Sequence, residues 1–139
     1  MGGEIMANSE VFAIGDPITM DTDGFAIVAT AGTRIIGICN EVKTAAADNE
    51  TVAAAKISFI VPDMRDLFEA DMSAAITATN RSQYADITGT TGAVLIDQGS
   101  VNDNTGQVRI AVLDPRQESS TTRVLVNIAE PEHLSYTQN

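Results

Sequence analysis

Hydrophobic and polar residues alternate in short runs along most of the chain, which is the pattern of β-strands that bury one face. The most apolar stretch covers residues 24–41, where two β-branched runs flank a turn at residues 30–33. Gly32 supplies the positive φ that a tight loop needs, and β-branched residues fit a pleated sheet. The sequence therefore predicts a central hairpin over residues 24–41.

Further strands are predicted on both sides of this hairpin. Residues 11–14 and 18–20 form short extended runs before it. After it, residues 51–61 alternate and place one set of apolar side chains on a common face: Ala53, Ala55, Ile57, Phe59 and Val61. The alanine content of this segment is also typical of a helix, and we adopt the strand.

The second half of the chain shows the same alternation. Residues 67–70 fit either a strand or a short amphipathic helix, and we adopt the strand. Asn80 and Gln83 resemble a capping box for one helical turn. Four more strands are predicted at residues 84–88, 93–98, 107–113 and 123–129, separated by segments rich in turn-forming residues.

Eight to ten short strands with at most one or two helical turns predict an all-β fold, a small single-domain β-barrel or sandwich. We expect an extended N-terminal arm at residues 1–10, a β-domain at 11–130 and a C-terminal tail at 131–139. The arm has no clear periodicity, and we interpret it as flexible when free.

Composition and charge narrow the range of partners. The formal net charge is −11, and the eight basic residues form no patch, which argues against nucleic acid and anionic membranes as partners. No apolar run approaches the roughly 20 residues of a membrane span. One cysteine excludes an internal disulfide, and a chain of 139 residues can bury enough surface to fold without a metal.

The residues that usually perform catalysis are scarce, so we predict no enzyme, no catalytic residue and no cofactor. His133 is the only histidine and lies in the predicted tail, away from any serine or cysteine that it could activate. Cys39 lies in an apolar strand without a basic neighbour, which indicates a buried, inert thiol.

Two acidic segments could suggest metal binding or hydrolysis. Asp21, Asp23 and Gly24 copy the interior of a calcium loop, but Thr19 and Thr30 stand where its terminal acidic ligands belong, so no metal site is predicted. A second cluster of acidic residues comprises Asp63, Asp66, Glu69 and Asp71. Two of these carboxylates could in principle act as the catalytic pair of a glycosidase, but we interpret the cluster as a solvated edge of the sheet.

Most of the chain, from about residue 11 to residue 130, resembles the small capsid decoration, or cement, proteins of tailed bacteriophages. The resemblance rests on the order of turns and strands in four segments: GDPITMDTDGFAIVATAGTRIIGI, DLFEADMSAAITATNRSQYADI, GAVLIDQGSVNDNTGQVRIAVLDPR and TRVLVNIAE. One position departs from the family pattern. The family often has Gly before a Lys/Gln-Tyr step, whereas Ser82 precedes Gln83 and Tyr84 here.

The resemblance implies an all-β, β-tulip-like homotrimer on the outside of an icosahedral phage head, where it binds and stabilises the lattice of the major capsid protein. In such proteins an N-terminal arm typically reaches that lattice. Carried over, capsid binding would fall on Glu4, Ile5, Met6, Val11 and Phe12. The arm would add main-chain hydrogen bonds to a capsid strand, and its apolar side chains would fill pockets.

From this interpretation, removal of residues 1–10 is expected to abolish capsid binding and to leave the fold intact. The rival interpretation is a ligand- or glycan-binding β-barrel module of a phage tail or fibre. A deep apolar pocket would favour that rival, and a barrel filled by side chains would count against it.

Overall fold

The computed structural model describes residues 2–63, 65–113 and 121–129, and this part of the chain is mostly β-structure. The all-β prediction is therefore confirmed. The strands are β1 (Gly2–Ile5), β2 (Val11–Phe12), β3 (Pro17–Met20), β4 (Ala26–Val28), β5 (Gly37–Cys39), β6 (Lys43–Thr44), β7 (Lys56–Ile60), β8 (Phe68–Ile76), β9 (Tyr84–Ala85), β10 (Ile87–Thr90), β11 (Ala93–Ile96), β12 (Val108–Leu113) and β13 (Thr121–Ile128).

The contacts within the chain divide it into two compact units. Unit 1 comprises Met1–Pro62 and Gly89–Val94, and unit 2 comprises Asp63–Thr88 and Leu95–Asn139. The boundaries predicted at residues 10 and 130 stay predictions. The predicted tail at 131–139, with His133, and most of the turn-rich segment between the predicted strands 107–113 and 123–129 lie outside the described residues.

Unit 1 is built on a five-stranded sheet of order β1-β7-β5-β3-β4, beside a two-stranded ribbon of β2 and β6. The turn predicted at residues 30–33 is present, with Gly32 at φ 80° and the Thr33 N–H donating to the Thr30 carbonyl. The prediction of a central hairpin over residues 24–41 is nevertheless wrong. The strands on the two sides of this turn, β4 and β5, do not pair with each other, because β3 lies between them and pairs with both. The hairpin in this region joins β3 to β4 through the turn at residues 21–24.

The N-terminal segment completes the sheet of unit 1. β1 is extended, as predicted, but it pairs antiparallel with β7 instead of forming a free arm. Met6 then bridges to Ala26 of β4, the opposite edge strand, and the Ala7 N–H donates to the Ala26 carbonyl at 3.0 Å. The two edges of the sheet therefore meet through residues 6 and 7.

A buried amide side chain fixes this closure. Asn49 donates from Nδ2 to the Met6 carbonyl at 2.7 Å and to the Ala55 carbonyl at 3.0 Å. Its Oδ1 accepts the Ala55 N–H at 2.9 Å. These bonds satisfy the polar atoms of a side chain that is fully buried, where an unpaired amide would be costly.

The segment before β7 differs from the prediction. Residues 49–53 form one turn of π-helix, ended by Ala54 at φ 52°, so the strand predicted from residue 51 is wrong up to residue 55. From Lys56 to Ile60 the prediction is confirmed: Ile57 and Phe59 are buried, and their neighbours are more exposed. Val61, predicted on the same face, lies outside β7 and is exposed. The left-handed Ala54 separates the two conformations, and no periodicity in the sequence marks it.

Side chains fill the interior of unit 1. The cluster of buried residues is Met6, Phe12, Ile18, Ala26, Cys39, Ala45, Ile57 and Phe59. The same strands supply further apolar side chains that are partly buried against it: Met20, Val28, Ile36 and Ala55. Phe12 and Met6 are the largest of the fully buried side chains, so two of the five residues predicted for capsid binding belong to this core.

Unit 2 is built on a nearly closed six-stranded sheet of order β10-β11-β8-β13-β12-β9. β9 pairs antiparallel with β12 at one edge, and β10 lies beside β11 at the other. Only Asp86 separates β9 from β10, and the Asp97 N–H donates to its carbonyl at 2.8 Å. One nearly continuous segment therefore occupies both edges of the sheet.

Three short helical turns occur in the described residues, at Asn49–Ala53, Ala78–Asn80 and Gln98–Ser100, where the sequence predicted at most two. The turn at Ala78–Asn80 begins earlier than predicted. Asn80 is its last residue and accepts the Thr77 N–H through Oδ1, so Thr77 and not Asn80 is the N-cap. The third turn is capped by Asp97, whose carboxylate accepts the Gly99 N–H.

Candidate functional site

The five residues predicted for capsid binding lie in different environments. Met6 and Phe12 are fully buried in the core of unit 1, Ile5 is half-buried, and Glu4 and Val11 are exposed. Met6 and Phe12 therefore cannot fill pockets of another protein while unit 1 keeps this structure. The expectation that residues 1–10 can be removed without loss of the fold is also wrong, because they carry β1 and the closing bridge.

Val11 belongs to a more extensive exposed surface. β2 and β6 pair antiparallel, with Val11 opposite Thr44 and Phe12 opposite Lys43. Because successive side chains of a strand point to opposite faces, Val11 lies on the face opposite to the buried Phe12. One further step of the same register places Val42 opposite Ala13.

Three large apolar side chains of this ribbon are exposed to solvent. Val11 is 44% exposed, Ile14 in the turn after β2 is 69% exposed, and Val42 directly before β6 is 72% exposed. We call these three exposed side chains the ribbon face: Val11 and Val42 fall on one side of the ribbon when its register is continued by one residue, and Ile14 lies in the adjoining turn. Single exposed apolar residues are ordinary, but several on one small element are typical of a contact surface.

The charged side chains along the ribbon are held at its margin by backbone groups. Glu10 accepts the Val28 N–H at 2.7 Å, and Glu41 accepts the Ser58 N–H at 2.7 Å. Lys43 donates from Nζ to the Lys56 carbonyl, also at 2.7 Å. These contacts draw all three charges toward neighbouring strands, so the ribbon face has an apolar centre and two carboxylates on its rim.

Asp16 ties the end of the ribbon to the tip of the β10–β11 hairpin within unit 1. Its Oδ2 accepts the Ala13 N–H and its Oδ1 accepts the Gly92 N–H, both at 2.9 Å. The hydroxyl of Thr91 donates to the Val11 carbonyl at 3.2 Å. The carboxylate is almost completely buried, and both of its oxygens are hydrogen-bonded. This arrangement fixes the backbone beneath the ribbon face.

The acidic side chains at residues 63–71 are held by backbone hydrogen bonds and by ion pairs with arginine. Asp63 and Asp66 accept backbone N–H groups of their own turn. Glu69 and Asp71 on β8 both accept from Arg123 on β13, at 2.9 and 3.1 Å. The guanidinium therefore links two exposed carboxylates across neighbouring strands, which is the geometry of a surface ion pair.

The Asp-rich turn before β4 is held by a carboxylate that bonds its own backbone. Asp21 accepts the N–H groups of Asp23 and Phe25 through Oδ1, each at 2.9 Å. Within residues 2–63, 65–113 and 121–129, no group of three or more metal-binding side chains is close enough together to hold an ion. In the same ranges no helix is long and apolar enough to cross a membrane.

Cys39 is buried, as predicted, at 2% exposure. Its Sγ lies 2.9 Å from the Glu41 carbonyl, to which it donates. Burial raises the pKa of the Cys39 thiol above its ordinary value, and the negative charges of Asp16 and Glu41 raise it further. The thiol is therefore held in its protonated, weakly nucleophilic form.

The turn at Ser82 is the position at which the sequence departs from the decoration-protein pattern. Ser82 has φ 71°, a left-handed conformation that glycine adopts at little cost and other residues rarely adopt. Its N–H donates to the Ile110 carbonyl at 2.7 Å, and the Ile110 N–H donates to the Gln83 carbonyl at 2.8 Å. The backbone of this turn thus takes the form for which glycine is suited.

Two of the three residues of the ribbon face, Ile14 and Val42, were not predicted as functional residues. The signal available was their position: each large apolar side chain lies at the end of a short strand, beside turn-forming or charged residues. That position is equally compatible with a buried strand end, so the sequence alone does not identify the surface. Comparison of the chain with protein-family profiles, curated sequences and solved structures finds no match.

Proposed function

We propose that this protein is a phage head decoration protein, which binds the outside of an icosahedral capsid and stabilises the lattice of the major capsid protein. The function is structural and involves no catalysis. The proposal starts from the resemblance of four segments of the chain to this family, and the all-β fold of both units is compatible with it.

The observation that carries the proposal is the backbone of Ser82. The family pattern often has glycine before the Lys/Gln-Tyr step, and serine at this position could have meant a different turn. Instead φ is 71°, the region that glycine favours, and the turn is held on both sides by hydrogen bonds to Ile110. Serine therefore has here a backbone conformation that glycine would also favour, which is compatible with the resemblance at the position where the sequence departs from it.

The interior of unit 1 weighs against the rival function of a ligand-binding barrel. A barrel that binds a small molecule needs a cavity lined by apolar side chains with a few polar groups. In unit 1 the interior is occupied by Phe12, Met6, Ile18, Ile57 and Phe59, all buried. A filled interior favours a protein that acts through its surface.

A reconstitution experiment tests the proposal. Purified protein is mixed with expanded, undecorated heads of the phage that encodes it, and bound protein is measured by sedimentation and by electron microscopy of the heads. We expect saturable binding, at regular positions on the outer surface, and greater resistance of the heads to heat. The proposal would be contradicted if the heads bind no protein. It would also be contradicted if binding does not saturate and the protein lies at irregular positions.

A further inference from the structure

We propose that the ribbon face is the surface with which this protein docks on its capsid partner, against an apolar protein surface rimmed by basic side chains. This inference rests on the proposed function and keeps only Val11 of the five residues predicted for capsid binding. It concerns Val11, Ile14 and Val42, which are exposed, and not Met6 and Phe12, which are buried.

The first argument is the contrast between this surface and the rest of the chain. The protein has a net charge of −11, so most of its surface is expected to be acidic. On the ribbon, however, the nearest charged side chains are held by backbone groups of β4 and β7: Glu10, Glu41 and Lys43. The centre is left apolar, which is the composition of an interface core with a polar rim.

The second argument is rigidity. The Asp16 carboxylate holds the Ala13 and Gly92 N–H groups, and Phe12 anchors the opposite face of the ribbon in the core. The backbone under the exposed side chains is thus fixed before binding. A preorganised surface loses less conformational freedom on association than a flexible arm does, so fewer contacts are needed for the same affinity.

Charge complementarity identifies the kind of partner. Glu10 and Glu41 place two negative charges on the rim and Lys43 places one positive charge there, so the rim carries a net negative charge. A second copy of this chain would bring a like-charged rim and a like-charged body against them, which is unfavourable. A protein with basic side chains around an apolar centre is attracted to the same surface. The geometry therefore points to a different protein, not to self-association.

The test compares two valines of nearly equal exposure in unit 1. Val42→Asp places a charge in the ribbon face, and Val52→Asp places the same charge on the helical turn at Asn49–Ala53, where Val52 is 73% exposed against 72% for Val42. Because both side chains are exposed, both variants are expected to fold as the wild type does, which circular dichroism and urea unfolding verify. Binding to expanded heads of the source phage is then measured.

We expect Val42→Asp to weaken binding at least tenfold, and Val52→Asp to bind within about twofold of the wild type. Ile14→Asp is expected to behave like Val42→Asp. Binding of the wild type is expected to weaken as salt is raised, because the rim contacts are ionic. Wild-type affinity in Val42→Asp, or an equal loss in Val52→Asp, would overturn this inference and leave the proposed function standing.

Two further outcomes separate the inference from the proposed function. If the wild type does not bind heads at all, the proposed function fails, and the assignment of a capsid partner to this face fails with it. Light scattering gives the molar mass of each variant in solution. If Val42→Asp lowers that mass while Val52→Asp does not, a second copy covers the ribbon face and the inference is overturned.

Discussion

Both units contain a glycine where two segments approach too closely for any side chain, but the atoms that face the glycine differ. In unit 1 a Cβ on Gly37 would collide with the ring of Phe59. In unit 2 a Cβ on Gly106 would lie 2.6 Å from the backbone nitrogen of Ala85 and 2.7 Å from its carbonyl oxygen. A ring can be exchanged for a smaller side chain, whereas the backbone of β9 is fixed by its pairing with β12.

This difference indicates how each of the two positions tolerates change. Close packing against a side chain is a property of two residues, and a second substitution can restore it. Close packing against the backbone is a property of the fold, since the peptide atoms are the same whatever residue is present. Gly37 is therefore expected to accept a methyl group with compensation, and Gly106 is not.

The largest effect is expected from Gly106→Ala. The new methyl group would press on the Ala85 peptide, which can move only if the pairing of β9 with β12 is disturbed, so we expect a loss of about 3 kcal/mol or more in the free energy of unfolding. Urea unfolding measures it. Gly99→Ala is the control, because its Cβ would meet only a side-chain oxygen of Asp97 at 3.3 Å. A Gly106→Ala protein as stable as this control would contradict the comparison.

A smaller effect, and a reversible one, is expected from Gly37→Ala. The collision with the Phe59 ring should cost about 2 kcal/mol, within the usual range for overpacking. Phe59→Leu alone should also destabilise, because it shortens a buried side chain. The double variant is expected to be more stable than the sum of the two losses predicts, by about 1 kcal/mol or more in a double-mutant cycle. If the two losses in the free energy of unfolding are strictly additive, the Phe59 ring is not the group with which a methyl group on residue 37 collides.

The smallest effects are expected at two residues with left-handed backbone, one in each unit. Ala54 has φ 52° in unit 1, and Ser82 has φ 71° in unit 2. Replacing either by Gly relieves backbone strain and should stabilise by about 0.5 kcal/mol after the entropic cost of glycine is counted. Ala74→Gly, in the exposed part of β8, is the control and should destabilise by about the same amount. Thermal unfolding shows whether each variant gains or loses stability. A loss of stability in the Ala54→Gly and Ser82→Gly variants would contradict the assignment of backbone strain to these residues.

The positions of individual strands could be predicted from the sequence better than the pairing of strands within the sheets. β12 and β13 have clear alternation, and both were found where predicted. The pairing of β3 with β5 joins strands that are not consecutive in the chain, and alternation contains no information on such pairing. The helical turn at Asn49–Ala53 was missed for a related reason, since its bonds with Met6 come from a distant segment.

The candidate site shows a second limit of prediction from the sequence. Met6 and Phe12 were predicted to enter pockets of a partner because the resemblance assigns capsid binding to the N-terminal arm and both side chains are apolar. The same property suits them to the core of their own unit, where they are found. Hydrophobicity alone does not distinguish a side chain that binds another protein from one that completes its own fold. Solvent exposure distinguishes them, and exposure depends on the tertiary structure.

The bridge from Met6 to Ala26 has a consequence for folding during synthesis. Among the strands of the sheet of unit 1, β1 is made first, yet its partner β7 lies more than fifty residues later in the chain. At a synthesis rate of roughly 5–20 residues per second, Met6 remains without its core for several seconds. The strand of this sheet that is made first is thus among the last to be placed, so the nascent chain exposes an apolar segment that chaperones can recognise.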